Sequence, residues 1–128
     1  RLAKKFESSR EVVPTPILEE RAGAKIGIIA YGSTTTAIEE SMDQLEAEGI
    51  TTSFLRVRAV PFTKEVKQFI EEYDHVYVVE MNRDGQLHKL LTLDYTEHFA
   101  KLISLTKHDG LPLKASWVTE AISAAEGK

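Results

Sequence analysis

The sequence predicts a three-layer α/β/α domain built on a mostly parallel sheet. Three observations carry that prediction. Continuous apolar runs at residues 25–31 and 75–80 read as strands buried on both faces, as parallel sheets require. Between such runs the apolar residues recur at helical spacing, most clearly in Val66, Phe69, Ile70 and Tyr73 at i, i+3, i+4 and i+7. Turn or capping residues mark each passage from strand to helix. Strands alternating with helices give a parallel sheet covered on both faces, and right-handed crossovers reduce the topology to a few choices.

The elements follow in chain order. Residues 1–10 are polar, with Leu2 and Phe6 on one helical face, and read as the tail of an upstream helix. The start at Arg1 leads to the expectation that the sequence is a fragment or a processed piece. Pro14 and Pro16 hold the next stretch extended, a linker into an edge strand at 16–20. After a turn at 21–24 comes the 25–31 strand. Ser33 and Thr34 offer an N-cap to a helix with Ile38, Ser41, Met42 and Leu45 on one face, stopped by Gly49. Residues 51–60 alternate with β-branched side chains and read as a strand. Pro61, Phe62 and Thr63 make a turn in which Thr63 caps the helix of Val66 to Tyr73. The strand at 75–80 leads through a turn at 82–85 into a helix marked by Leu87, Leu90 and Leu91. A last strand at 101–107 is broken by residues 108–112, and Val118, Ala121 and Ile122 mark a closing helix. Residues 1–22 are expected to be linker and edge segment from an upstream domain, and 23–128 the α/β domain itself.

Composition bounds the chemistry. The 128 residues are 42% hydrophobic and 28% charged, enough for a real core without disulfides or a structural metal. A net charge of −4 shows no basic footprint for nucleic acid and argues against a patch for anionic membranes. The absence of cysteine excludes disulfides, thiolate-held zinc or iron–sulfur clusters and thiol nucleophiles from this chain. It also fits a cytoplasmic setting. No run reaches the length of a membrane span. His75, His88, His98 and His108 lack metal-ligand spacing and read as surface histidines, so no metal site is expected. Trp117 reads as a core or interface anchor. The chain is expected to carry no complete active site and no catalytic residue of its own.

Three places carry binding chemistry beside a plainer reading. Gly32, Ser33 and Thr34 stand where a strand ends and a helix begins, which exposes backbone N–H groups to an anion; equally, the glycine makes a tight turn and Ser33 caps a helix. The dinucleotide and nucleophile-elbow glycine patterns are both missing there. Glu80, Asn82, Arg83, Asp84, Gly85 and Gln86 form a second polar cluster at a strand end. Glu80 closes an apolar strand, where a carboxylate needs a partner. Asn82 and Asp84 serve as helix caps or as part of a site. Arg58, on one strand face with Phe54 and Arg56, either holds Glu80 or an anionic ligand or is solvated. With 25–31 central between 51–60 and 75–80, the two loops meet at the switch point of the sheet, where ligands of such folds bind. The expected crevice comprises Gly32, Ser33, Thr34, Arg58, Glu80, Asn82, Arg83, Gly85 and Gln86.

Four segments in series, residues 25–34, 58–62 (Arg-Ala-Val-Pro-Phe), 78–86 (Val-Val-Glu-Met-Asn-Arg-Asp-Gly-Gln) and 109–112 (Asp-Gly-Leu-Pro), together with the leader 11–16, give the chain a family likeness. It resembles the C-terminal domain of the α subunit of 2-oxoacid:ferredoxin oxidoreductases, especially the 2-oxoglutarate type, over essentially its whole length. The Glu-x-Asn-x-x-Gly-Gln element is the most specific part. Thr63 departs from the family, where many members have proline, yet still suits a helix cap. The resemblance implies a transketolase C-terminal-like fold, with a five-stranded sheet in the order 1-3-2-4-5 and an antiparallel first strand.

It further implies an enzyme that oxidatively decarboxylates a 2-oxoacid to an acyl-coenzyme A and passes the electrons to ferredoxin. The whole enzyme would use thiamine diphosphate, Mg, an iron–sulfur cluster and coenzyme A, none bound by this chain alone. Its partners would be the upstream α-subunit domain and the β subunit. The domain's own part would be a subunit interface and a stretch of the coenzyme A path. Two alternatives stay open beside it: a structural dimerisation module, and the last domain of the β subunit of a thiamine-dependent 2-oxoacid dehydrogenase.

Overall fold

A computed structural model describes residues 14–127. The expected leader helix at residues 1–10 lies outside them. The order of elements is β1 (Ile17–Glu19), β2 (Ile26–Tyr31), a 3₁₀ turn (Gly32–Thr34), α1 (Thr35–Ala47), β3 (Thr52–Val57), α2 (Lys64–Glu72), β4 (His75–Glu80), α3 (Gln86–Asp94), a second 3₁₀ turn (Thr96–Lys101), β5 (Leu102–Thr106) and α4 (Ala115–Ala125).

The strands form one five-stranded sheet in the order β1-β3-β2-β4-β5. β1 runs antiparallel to β3, with Ile17 opposite Arg56. The other pairings are parallel. β2 sits at the centre between β3 and β4, and all three interior strands are covered on both faces, which their apolar residues require. Ile28 and Ile29 point to opposite faces and both are fully buried.

Two cores result. Ile29, Leu55 and Val78 face α2 and α3, where Val66, Phe69, Ile70 and Leu91 close over them. Ile28, Phe54, Tyr77 and Val79 face α1 and α4, with Ile38, Met42, Leu45, Val118 and Ile122. Trp117 packs against this second core from a partly buried position. Gly27 lets α2 lie close on the sheet: a Cβ there would stand 2.6 Å from Cε1 of Phe69. α1 ends in a Schellman motif, in which Ile50 N–H donates to the Leu45 carbonyl and Gly49 N–H to that of Glu46, at 2.9 and 3.0 Å.

Several expectations shift on contact with the structure. The β3 strand stops at Val57, not at residue 60, because the chain bends away from β2 before a cis Val60–Pro61 bond. The first helix is not capped by the Thr34 side chain. Thr34 already has helical backbone angles, and its hydroxyl donates back to the Tyr31 carbonyl at 3.2 Å. Thr63 does take the N-cap position of α2, in an extended conformation but with no side-chain capping bond. Leu90 turns outward although Leu87 and Leu91 are buried. The histidines are not all plain surface groups: His88 is partly buried and its Nε2 lies 3.0 Å from the Leu102 carbonyl oxygen.

Candidate functional site

The carboxyl edge of the sheet gathers the polar residues that the sequence singled out. β2 and β4 are paired neighbours, so the turns after them lie side by side. Asn82 Nδ2 spans the two, donating to the Tyr31 hydroxyl at 3.3 Å.

Glu80 is the anchor of the second turn. It is 1% exposed at the end of β4. A carboxylate buried that deeply needs several donors, and α3 supplies them. Oε1 accepts from Leu87 N–H at 2.6 Å and from Asn82 Nδ2 at 2.9 Å, and Oε2 accepts from His88 N–H at 3.0 Å. Asn82 Oδ1 accepts from Gly85 N–H at 2.8 Å and Gln86 N–H at 3.3 Å. The negative charge thus sits on the N-terminal end of α3, where unpaired N–H groups and the helix dipole favour it. Gly85 completes the turn. Its φ of +60° is left-handed, and a Cβ would stand 3.0 Å from Ser104 Oγ and 3.7 Å from Glu80 Oε2.

This geometry sorts the residues of the expected crevice by their partners. Glu80 takes its donors from α3 and Asn82, not from Arg58. The first amides of α3 are already engaged and offer nothing to an incoming anion. Asn82 and Gly85 build the cap. Arg83 is exposed, 3.9 Å from Asp84. Thr34 lies on a different groove of about 600 Å³, shared with Glu40, Gln44, Met81 and Lys114. Ser33 contributes its backbone to the 3₁₀ turn.

The structure brings Gly32, Arg58 and Gln86 together. They line a cleft of about 370 Å³ with Tyr31, Val57, Val60, Leu87 and Leu90. Sequence reasoning missed Tyr31, Val60 and Leu90. Leu90 was detectable in principle, since Leu87, Leu90, Leu91 and Leu93 make a stripe wider than one buried face needs.

Two other polar constellations are structural. At the carboxyl edge, Lys107 Nζ lies 2.6 Å from both Asp109 carboxylate oxygens. That bond, with Leu111 N–H as a further donor, holds the Asp109 carboxyl below its usual range. At the opposite edge, Glu126 accepts from the Tyr77 hydroxyl and pairs with His75 Nδ1 at 2.8 Å. Burial, and then the Glu126 carboxylate, push the Tyr77 phenol well above its usual range.

Neither an iron–sulfur cluster nor a metal ion finds a donor set among the described residues. The chain has no thiolate for an iron–sulfur cluster. Among the described residues no three of His, Asp and Glu converge as a metal site. No described helix is long and apolar enough to cross a membrane.

Comparison with known proteins agrees with this architecture. The chain is 30% identical over 124 residues to the α subunit of 2-oxoacid:ferredoxin oxidoreductase 2 from Aeropyrum pernix, covering 93% of this chain and 19% of that one. The chain therefore spans about a fifth of the length of the curated relatives it matches. Among solved structures it is similar to 2-oxoglutarate:ferredoxin oxidoreductase from Magnetococcus marinus, described with 2-oxoglutarate, coenzyme A and succinyl-CoA bound. The TM-score is 0.74 at 25% identity, over 92% of this chain and 21% of that one. A split-gene transketolase, described as an inactive beta4 tetramer, shares the fold with a TM-score of 0.67 at 22% identity, over 82% of this chain and 39% of that one. The family model for pyruvate:ferredoxin oxidoreductase core domain II matches residues 24–109. With that match over residues 24–109, the chain belongs to the pyruvate:ferredoxin oxidoreductase core domain II family, as a domain of the kind found in 2-oxoacid:ferredoxin oxidoreductase α subunits.

Proposed function

We propose that this chain works as the C-terminal domain of the α subunit of a 2-oxoacid:ferredoxin oxidoreductase of the 2-oxoglutarate type. The whole enzyme oxidatively decarboxylates the 2-oxoacid to an acyl-coenzyme A in the cytoplasm and passes the electrons to ferredoxin. Residues 23–128 form the working domain, and residues 1–22 lead into it from an upstream domain. The domain itself supplies an interface to the upstream α domain and the β subunit.

The cleft beside Arg58 carries this reading. It lies at the carboxyl edge of the sheet, where such folds bind their ligands or partners. Its apolar lining and exposed rim suit contact with other parts of an assembly more than chemistry. Coenzyme A contact is the weaker option, because the α3 amides that would meet a phosphate already serve Glu80 and Asn82. Thiamine diphosphate, Mg and the iron–sulfur cluster belong to other parts of the enzyme, in keeping with a cysteine-free chain. The choice of 2-oxoglutarate rests on the Magnetococcus marinus relative.

The test is to purify the enzyme that contains this chain from its source cell through a tag on the chain. The expected result is co-purification of a cysteine-containing β subunit and 2-oxoglutarate-dependent reduction of a viologen dye that requires coenzyme A. Turnover with pyruvate and none with 2-oxoglutarate would overturn the substrate assignment, and no co-purifying subunit would overturn the role.

A further inference from the structure

The strands β2 and β4 part at the carboxyl edge. They pair from Ile26 opposite His75 to Ile29 opposite Val78, and no further. Both run on beyond that point, each beside its outer neighbour. β2 stays on β3 as far as Tyr31 opposite Val57, and β4 on β5 as far as Glu80 opposite Thr106. A parallel pair that ends while both strands continue leaves a crevice between them. The helices that follow these two strands, α1 and α3, cover opposite faces of the sheet, so the crevice is its switch point.

Two hollows flank the crevice. Tyr31 and Gly32 belong to the wall of the cleft on the α3 side, and Thr34 and Met81 to the wall of the groove on the α1 side. Among the described residues one side-chain hydrogen bond crosses the gap, from Asn82 Nδ2 to the Tyr31 hydroxyl at 3.3 Å. Its two ends are built differently. Asn82 is a fixed post, because Oδ1 accepts from Gly85 N–H and Gln86 N–H and Nδ2 also donates to the buried Glu80. Tyr31 is the movable end. Its side chain is 42% exposed. A Cβ on Gly32, the next residue, would meet nothing within 4 Å, so the turn is not packed in. A bond this long and open to water is weak, and an exposed side chain changes rotamer fast. What lies beneath is closed: Ala30 and Val79, beyond the last β2–β4 pair, are both 0% exposed.

We infer that Tyr31 is a gate on this crevice, latched by Asn82. Latched, it shuts the gap between β2 and β4 and keeps the cleft and the groove apart. Swung off Asn82, it joins them and uncovers Ala30 and Val79. The cap on α3 keeps its own bonds in both states, so the gate moves without unfolding the helix. Opening sets access to the switch point, where folds of this kind bind their ligands. This goes beyond the interface role proposed above and does not rest on it.

Cysteine labelling reads the gate, because the chain has no cysteine of its own. Ala30→Cys and Val79→Cys, made singly, put a thiol on either side of the crevice with little change in size. Val76→Cys, buried at the amino end of β4, is the control. The purified protein, with any subunits that accompany it, is reacted with a maleimide, and mass spectrometry follows each position. Tyr31→Phe removes the latch and leaves every cap bond of Asn82 in place. The expected result is labelling at positions 30 and 79 faster by about fivefold in Tyr31→Phe, the ratio that one weak hydrogen bond sets, with position 76 unchanged. Unchanged rates at 30 and 79 overturn the inference. So does an equal rise at all three positions, which marks a general loosening of the fold. Hydrogen exchange of residues 30–34 against 66–72, compared between Tyr31→Phe and wild type without any added cysteine, repeats the test with no buried substitution: faster exchange confined to 30–34 is expected, and no difference overturns the gate. Neither outcome alters the assignment to the oxidoreductase.

Discussion

The carboxylate of Glu80 accepts a hydrogen bond from the backbone N–H of Leu87 at 2.6 Å, so the end of β4 is tied to the start of α3 by a buried charge. The bond turns the most distinctive sequence element of the chain into a cap. Glu80→Ala would leave the Leu87 and His88 amides and the Asn82 side chain short of an acceptor in a closed site. The expected loss is about 3 kcal/mol of stability. Glu80→Gln keeps one acceptor oxygen and should lose less. Urea titration of the isolated chain measures both, and equal stability of wild type and Glu80→Ala would remove the cap from the account.

Gly85 and Gly32 should respond differently to alanine. Both have left-handed backbones, φ +60° and +75°, which cost an L side chain about 1–2 kcal/mol. A Cβ at Gly32 meets nothing within 4 Å, whereas one at Gly85 meets Ser104 Oγ at 3.0 Å. Thermal melts should therefore show Gly85→Ala as the more damaging change. A larger loss at Gly32 would contradict the turn geometry.

Gly27→Ala tests the packing of α2. The new methyl group would stand 2.6 and 2.9 Å from two ring carbons of Phe69. Overpacking of this kind costs about 1–3 kcal/mol. Phe69→Leu in the same chain should restore part of the loss, which a double-mutant cycle reads as coupling between the two positions.

The β2 and β4 strands were legible because their apolar runs are short and rich in β-branched residues, as a strand covered on both faces requires. The 75–80 reading coincides with β4, and 25–31 with β2 to within a residue. The helix of Val66 to Tyr73 was legible from period alone. The end of β3 was not, because alternation continues through Arg58 to Val60 while the backbone has already left the sheet. The partners of Glu80 were hidden for a different reason. Backbone amides carry no side-chain signature, so the need for a donor was visible in the sequence but its source was not. The cleft was half legible. Gly32, Arg58 and Gln86 stood out by residue type, but Tyr31, Val60 and Leu90 look like core residues until the fold leaves them at the rim.

Alkaline pH should unfold the domain through Tyr77. Its phenol is fully buried and hydrogen-bonded to Glu126, and its pKa is raised above the usual 10.0. Below about pH 10 the phenol is neutral in the folded and unfolded chains, and its contribution to stability is intact. As pH rises past that value the unfolded chain ionises first, so stability falls until the folded value is reached. Tyr77→Phe should lower stability at neutral pH by about 1 kcal/mol and flatten the alkaline decline. Urea midpoints between pH 8 and 11 check the sign; a decline equally steep in Tyr77→Phe would place its origin elsewhere.

The measurement that bears most directly on the account is an activity assay of the isolated chain. The chain is mixed with 2-oxoglutarate, thiamine diphosphate, Mg and coenzyme A, and reduction of a viologen dye is followed. The account assigns this chain an interface and a scaffold, with no cluster ligand and no metal triad among its described residues. It predicts a folded chain and no dye reduction above background. Sustained 2-oxoglutarate-dependent reduction by the isolated chain would contradict it.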